Sequence, residues 1–588
     1  MYWKRPMAAV SVLALTALAA CGGGDDDGET STGGPSDSET SFIEGGGSGQ
    51  GQNADAPVPV PEIEGAVAGG DIDVVSISGL TTMHPSEAYY VNTASILSNL
   101  VVRSLTQYIY DAEAKQMVLV PDLATDLGTP NDDFTEWTFT LRDGIKYEDG
   151  SPVTAEDMKF GILASFDRDT FPDGAAYSND YFLNGDKYKG PYSDPQGDCD
   201  CVTVSGNDIT IKMAAPFPDM PYWGAFPAIS PIPEAKAKDP NAYARHPLAT
   251  GPYKFGDYKP GDTLELVRND QWDQSTDAAR HAYPDSYNMD FNTPSATIDQ
   301  TILADQGDAQ TMMTYDNVLA PDLAKAKQSG NLVTGGVPCT AFWYPDLRKP
   351  EWKDINVRKA LGLSYSYADS WLAAGEIIGV TRIPGTTIQP PGIPSRPEEY
   401  DVFGNGGERP DTEQAKQLLT DADALGTEVS FYYVTSDPLS VDAKNANVKT
   451  LTEAGFEPKP VAVADSTAAA EMRADPNAPL NLRSGGWCSD WPSGASWMPP
   501  LFGPTGGANY SYFDEKAVNT QIKEIQTAPI DEQADLWAAL DEEIMTKYYP
   551  VVNLGYYGAA MLHGSAIQGF LNDDVFGMPT WKDIHVQE

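Results

Sequence analysis

Residues 411–463 carry the pattern that most narrows the fold. Positions 411–425 repeat apolar side chains at helical spacing and end at Gly426; Val429, Phe431 and Tyr433 then alternate as a strand. Residues 441–454 resume the helical period and stop at Gly455, and a second strand runs to Val463. A helix repeats its faces every three to four residues and a strand every two, so the switch of period marks the elements. Helix and strand alternating with glycine stops predict a parallel α/β lobe.

The first half of the chain reads differently. Trp137, Phe139 and Leu141 alternate up to Asp143-Gly144, and Ile145 and Tyr147 follow, which predicts a hairpin. Thr154 with Asp157 three residues on forms a capping box for a helix whose face is Met158, Ile162 and Phe166. Val202 and Val204, a Ser205-Gly206-Asn207-Asp208 turn, and Ile209, Ile211 and Met213 predict another hairpin. Near the end, Asp531 opens a helix bearing Leu536, Trp537, Leu540 and Ile544, and residues 548–557 are apolar enough for a buried strand. There is no internal repeat.

With 588 residues, 41% of them hydrophobic, the chain has material for three or four lobes. The formal charge is 38 minus 85, or −47, spread along the chain. Nucleic acid and anionic headgroups are therefore poor partners, and solubility or salt adaptation accounts for the charge. No apolar stretch beyond the N-terminal one reaches the roughly 18 residues needed to cross a bilayer.

That N-terminal stretch is a targeting signal. Lys4 and Arg5 precede an apolar run over residues 7–17, and Leu18-Ala19-Ala20-Cys21 resembles a bacterial lipobox. Residues 1–20 read as a lipoprotein signal peptide, and Cys21 as the lipidated residue that anchors the protein to the membrane. The alternative is an ordinary cleaved signal. From 21 to 70 the chain is Gly, Ser, Asp, Glu, Thr and Pro with almost nothing to bury, a disordered tether. Cys199, Cys201, Cys339 and Cys488 remain, an even set that fits two disulfides in an oxidising compartment.

Motifs for catalysis are missing. There is no Gly-x-Ser-x-Gly elbow, His-Glu-x-x-His or phosphate-loop pattern, and none of His84, His246, His281, His563 and His585 stands at metal-ligand spacing from another. Asp194, Asp198 and Asp200 lack the spacing of a calcium loop. The expectation is a chain that is not an enzyme and has no cofactor and no metal.

Asp149-Gly150-Ser151-Pro152-Val153-Thr154-Ala155-Glu156-Asp157 with Met158-Lys159-Phe160 resembles a segment of the family 5 extracellular solute-binding proteins, the dipeptide and oligopeptide receptors of ABC importers. Thr250-Gly251-Pro252-Tyr253 with Val267-Arg268-Asn269-Asp270-Gln271-Trp272, Asn356-Val357-Arg358-Lys359-Ala360-Leu361, and Gln414-Ala415-Lys416-Gln417-Leu418-Leu419 resemble further family segments in the same order. Ala249 and Ala368-Asp369-Ser370 depart from the family pattern. The resemblance implies a two-lobed α/β fold like the type II periplasmic binding proteins, with an extra domain and hinge closure on ligand. Lobe I would comprise 71–110, 238–338 and 558–588; the extra domain, 111–237; and lobe II, 339–557.

Gly486-Trp487-Cys488-Ser489-Asp490-Trp491 resembles the peptide receptors' ligand-binding segment. On that resemblance Asp490 holds a peptide's terminal ammonium, a charge-assisted bond about twice as strong as a neutral one. Trp487, Cys488, Ser489 and Trp491 flank it, the neighbouring backbone pairs with the peptide as a strand, and Trp487, Trp491 and Trp497 are candidate walls. Tyr177 or Tyr181 would add a polar contact from the extra domain. Pro338-Cys339-Thr340 resembles the context of the other half-cystine, implying a Cys339–Cys488 disulfide; Cys199 and Cys201 have no counterpart. The implied partners are a short peptide, the transmembrane subunits of an ABC permease and, through the lipid, the outer face of the cytoplasmic membrane. Pro492-Ser493-Gly494 departs from the polar residues usual after the aspartate. An oligosaccharide receptor of the same family is the main alternative, because tryptophan platforms suit sugar rings; a secreted hydrolase, nickel binding and adhesion rank lower.

Overall fold

The computed structural model describes residues 51–113 and 115–587. The signal peptide, Cys21 and the tether up to residue 50 lie outside the described residues. Strand Asp71–Val75 lies second from the edge of the first sheet: it pairs in parallel with Met312–Met313 on one side and Ser286–Asp290 on the other, and Thr263–Arg268 and Tyr253–Lys259 continue antiparallel. Ile72 and Val74 point into a core that also takes Leu266, Tyr287, Met561, Trp581 and Ile584, so the C-terminal segment packs on this strand.

Residues 51–70 correct the tether expectation. Gly51–Gln52 pairs in parallel with Gln116–Pro121, Val60 is buried, and its N–H donates to the Asp277 carbonyl at 2.9 Å. The Tyr283 hydroxyl accepts from the Ile63 N–H and donates to Glu62. A few apolar residues among prolines suffice to hold this stretch against the body.

The second sheet runs Thr129–Pro130, Glu136–Thr140, Asp208–Lys212, Val202–Ser205, all antiparallel. The hairpin across Ser205-Gly206-Asn207-Asp208 is present, with Gly206 at φ +65°. The one expected at 137–147 is not. Trp137 and Phe139 pair with Ile211 and Ile209, and residues 145–153 fold back on themselves through Val153 N–H to Ile145 O and Tyr147 N–H to Ser151 O. Helix Ala155–Ala164 starts at the capping box of Thr154 and Asp157 and buries Met158 and Ile162, while Phe166 lies beyond its end. A fully buried network joins residues 103 and 122 to the connection between Thr263–Arg268 and Ser286–Asp290: Arg103 Nε meets Asp122 at 2.7 Å, and Arg280 bridges Asp122 at 2.8 Å and Asp277 at 3.2 Å.

Two long strands cross between the lobes. Leu332–Pro345 pairs antiparallel with Val552–Leu562 from Leu332↔Leu562 to Trp343↔Val552, with register shifts around Val337, Thr340 and Phe342. At one end Ala560 and Leu562 pack with Val75 and Ile298; at the other Phe342, Trp343 and Val552 pack with Leu361, Trp497 and Trp537. The molecule is thus a two-lobed α/β protein whose lobes are joined by strands.

In the second lobe Glu428–Val434 and Glu457–Val463 pair in parallel across helix Pro438–Glu453, as the alternation predicts. Its larger sheet is antiparallel, ordered Arg382–Ile383, Val552–Leu562, Leu332–Pro345, Leu482–Cys488. Helix Thr412–Asp421, capped by Asp411, ends five residues before Gly426, where Asp423 turns left-handed at φ +52°. In helix Ile530–Glu543, Trp537 and Leu540 are buried whereas Leu536 is 39% exposed. No helix among the described residues is long and apolar enough to cross a membrane.

Candidate functional site

Strand Leu482–Cys488 delivers the site residues. It lies directly against Leu332–Pro345, from Pro345↔Leu482 to Cys339↔Cys488. A Cβ on Gly486 would stand 2.9 Å from the Thr340 carbonyl oxygen, so this close approach demands glycine. The cross-strand pair Cys339 and Cys488 is a disulfide. Just beyond it the Ser489 N–H donates to Pro338 O at 2.7 Å, which fixes the chain as it leaves the sheet and presents Asp490.

Both oxygens of Asp490 are engaged by phenols from elsewhere in the chain. The Tyr89 hydroxyl donates to Oδ1 at 2.8 Å and the Tyr177 hydroxyl donates to Oδ2. Tyr177 opens the short helix Tyr177–Tyr181, and Tyr89 stands two residues before helix Val91–Ile96. Desolvation pushes the Asp490 carboxyl up from 3.8 to about 6, opposed by the two tyrosine hydrogen bonds. Burial, and then the negative charge of Asp490, hold both tyrosines well above the usual phenol range, so they remain donors at neutral pH. A desolvated carboxylate held by neutral donors is arranged to receive a cation.

Trp487 is half-buried, its indole N–H donating to Ser496 O at 2.7 Å. Ser489 is half-buried beside Ser496. Trp491 and Trp497 are 0% exposed. The expectation that they line walls is therefore corrected: Trp497 belongs to the second lobe's core, and Trp491 packs edge-on against Tyr177. Tyr181 stacks on Tyr177 and Phe217 but does not reach Asp490. Tyr89 was not anticipated; it lies 401 residues from Asp490 in sequence, and no spacing signals the pair. Cys199 and Cys201 form the second disulfide, with each other. Among the described residues no group of three His, Cys, Asp or Glu side chains could hold a metal ion.

A two-lobed molecule with a polar anchor where its parts meet has the form of a solute receptor. The model of bacterial extracellular solute-binding proteins, family 5 middle, matches residues 118–509, and the chain belongs to that family. It is 20% identical over 490 residues to the periplasmic oligopeptide-binding protein OppA of Salmonella typhimurium, covering 78% of this chain and 83% of that one. It is 25% identical over 334 residues to the dipeptide-binding protein DppE of Bacillus subtilis, covering 55% and 56%. Among solved structures, clavulanic acid biosynthesis oligopeptide binding protein 2 superposes with a TM-score of 0.79 at 22% identity, over 92% of this chain and 99% of that one. Haemophilus influenzae OppA in complex with RPPGFSPFR gives 0.67 at 18%, over 89% and 100%. This protein is a solute-binding protein, not an enzyme.

Proposed function

We propose that this protein captures short peptides with a free amino terminus outside the cytoplasmic membrane and hands them to the transmembrane subunits of an ABC importer. The observation that carries this reading is Asp490, a desolvated carboxylate whose two partners are neutral phenols. A peptide ammonium supplies the missing positive charge, and an anion-to-cation bond made away from water is among the strongest polar contacts a site can offer. The names of the relatives, an oligopeptide-binding OppA and a dipeptide-binding DppE, support a peptide. The oligosaccharide reading keeps one tryptophan, the half-buried Trp487, because Trp491 and Trp497 have no exposed face on which a sugar ring could lie.

In this reading 71–110, 238–338 and 558–588 act as lobe I, 111–237 as the extra domain and 339–557 as lobe II. The peptide lies beside Trp487, Cys488 and Ser489 with its ammonium on Asp490 and Tyr177 nearby, and lipid on Cys21 holds the receptor at the membrane. Native mass spectrometry of the purified protein tests the ligand class. A series of co-purified masses that fragment as peptides is expected; a hexose-spaced ligand would overturn the proposal.

A further inference from the structure

Arg473 stands in the last turn of helix Ser466–Ala474, in the second lobe. Its carbonyl accepts from Arg483 Nε at 3.2 Å, which ties the helix end to strand Leu482–Cys488, the strand that leads to Asp490. Buried arginines elsewhere meet a carboxylate: Arg103 and Arg280 reach Asp122, Arg382 reaches Glu376 and Arg483 reaches Asp346. Arg473 has phenols instead. Its half-buried guanidinium sits in the field of Tyr432, Tyr510 and Tyr344, with Cζ 5.5 Å from the Tyr510 ring centroid. Its Nε is buried without a hydrogen-bond partner, and no carboxylate among the described residues forms an ion pair with it. In a chain of formal charge −47, a cation kept apart from every carboxylate is a specific arrangement.

A second donor without a partner stands beside it. Tyr344 is 0% exposed, its ring meets Tyr510 edge-on at 5.4 Å, and its hydroxyl has no hydrogen-bond partner. Burial holds that phenol well above its usual range, so it stays a neutral donor. Buried donors lacking an acceptor are costly, and a guanidinium with a neighbouring hydroxyl suits a carboxylate. Access comes from the site strand. The Tyr432 hydroxyl donates to Ser484 O at 2.9 Å, and the next residue is Gly485, half-buried. A Cβ there would stand 3.4 Å from the Tyr344 ring and 3.5 and 3.6 Å from Cδ and Nη1 of Arg473, which are ordinary contacts. Glycine is thus not demanded at 485 as it is at 486; its effect is to leave Arg473 uncovered. A ligand laid along 482–488 as a strand alternates its side chains, so one of them faces this gap.

We propose that Arg473 and the Tyr344 hydroxyl, reached across the bare backbone of Gly485, form a subsite for a carboxylate on a ligand side chain, so that the receptor selects an acidic residue at one position of its peptide. The subsite rests on the peptide reading and adds side-chain selectivity to it. All of its residues belong to the second lobe, so it is present whether the lobes stand open or closed. The protein's net charge opposes an anion, so a preference for Glu over Gln has to come from a local set of donors.

Calorimetry of the whole protein, freed of co-purified ligand, tests this with synthetic tetrapeptides of alanine carrying Glu or Gln at the second, third or fourth position, each with a free and an amidated carboxyl terminus. At one position Glu should bind wild type about tenfold or more tighter than Gln. In Arg473→Gln the ratio should fall to within about twofold of one. Arg473→Lys should keep part of it, and Gly485→Leu, which leaves the arginine in place but covers it, should lose it. Each ratio is taken within one variant, so a change in stability or in the hold on the amine cancels. Equal binding of Glu and Gln at all three positions, or the same preference in wild type and Arg473→Gln, would overturn the subsite. A loss in Arg473→Gln seen only with a free carboxyl terminus would place the carboxylate at the peptide's end and overturn the side-chain assignment. Wild type that binds none of the peptides would overturn the peptide reading and the subsite with it; the other outcomes leave that reading standing.

Discussion

Asp490 is placed where a carboxylate is least comfortable without a partner. Its proton is held more tightly in the folded protein, at about 6, than in the unfolded chain, where the ordinary value is 3.8. Between those values the native state binds more protons than the unfolded state, so stability falls as pH rises through the window and the loss is complete above it. Asp490→Asn removes that cost. The ligand-free variant should be more stable than wild type at pH 7 by roughly 2 kcal/mol, a gap that closes toward pH 4 in thermal melts at each pH. A variant less stable at both pH values would contradict this. Binding has the opposite sign. An ammonium needs the ionised carboxylate, so wild-type affinity for a peptide should decline as pH drops below about 6, and the Asn variant should lack that decline. Proteins often carry such destabilised groups where they bind. Asp490 was singled out in the sequence because residues 486–491 form a local segment that resembles the peptide receptors' one. Tyr89 was not, since its role arises only when segments hundreds of residues apart meet.

Elements were legible where their cause is local. The capping box at Thr154 and Asp157 and the Ser205-Gly206-Asn207-Asp208 turn are decided within a few residues, and both stand as read. The hairpin at 137–147 failed because alternation says that a segment is a strand but not which strand it pairs with; the partner of Glu136–Thr140 is Asp208–Lys212. The parallel pair in the second lobe was visible through its intervening helix, whereas the larger antiparallel sheet draws its strands from positions 332 to 562 and leaves no sequential trace. In that sheet the disulfide closes a sequence separation of 149 residues at the end of the strand bearing the site. Replacing Cys339 and Cys488 together by serine should lower stability by about 4 kcal/mol, on the chain-entropy account of long loops. Urea midpoints would show it, and an unchanged midpoint would mean that the strand pairing alone sets the geometry.

At the scale of the whole molecule, the strands Leu332–Pro345 and Val552–Leu562 join two cores, while the family assignment and the fold identify the molecule as a solute receptor. Composition set the size and excluded polyanions; only the ordered family segments carried the two-lobed architecture. The proposed anchor makes its own prediction: Cys21→Ser should release the protein from the membrane fraction into the soluble one, and a variant that stays fully membrane-bound would refute lipidation at that residue.

The central claim, that Asp490 holds a peptide's amino terminus, is tested most directly by a double-mutant cycle in calorimetry. A peptide recovered from the protein and its amino-acetylated form are each titrated into wild type and Asp490→Asn. Truncating one partner of a buried charged pair typically costs about 2 to 5 kcal/mol, so either change alone should weaken binding roughly 30-fold or more. Together they should lose little beyond either one, because both remove the same contact. If each change leaves affinity within about twofold, or if the two losses simply add, Asp490 is not the amine anchor.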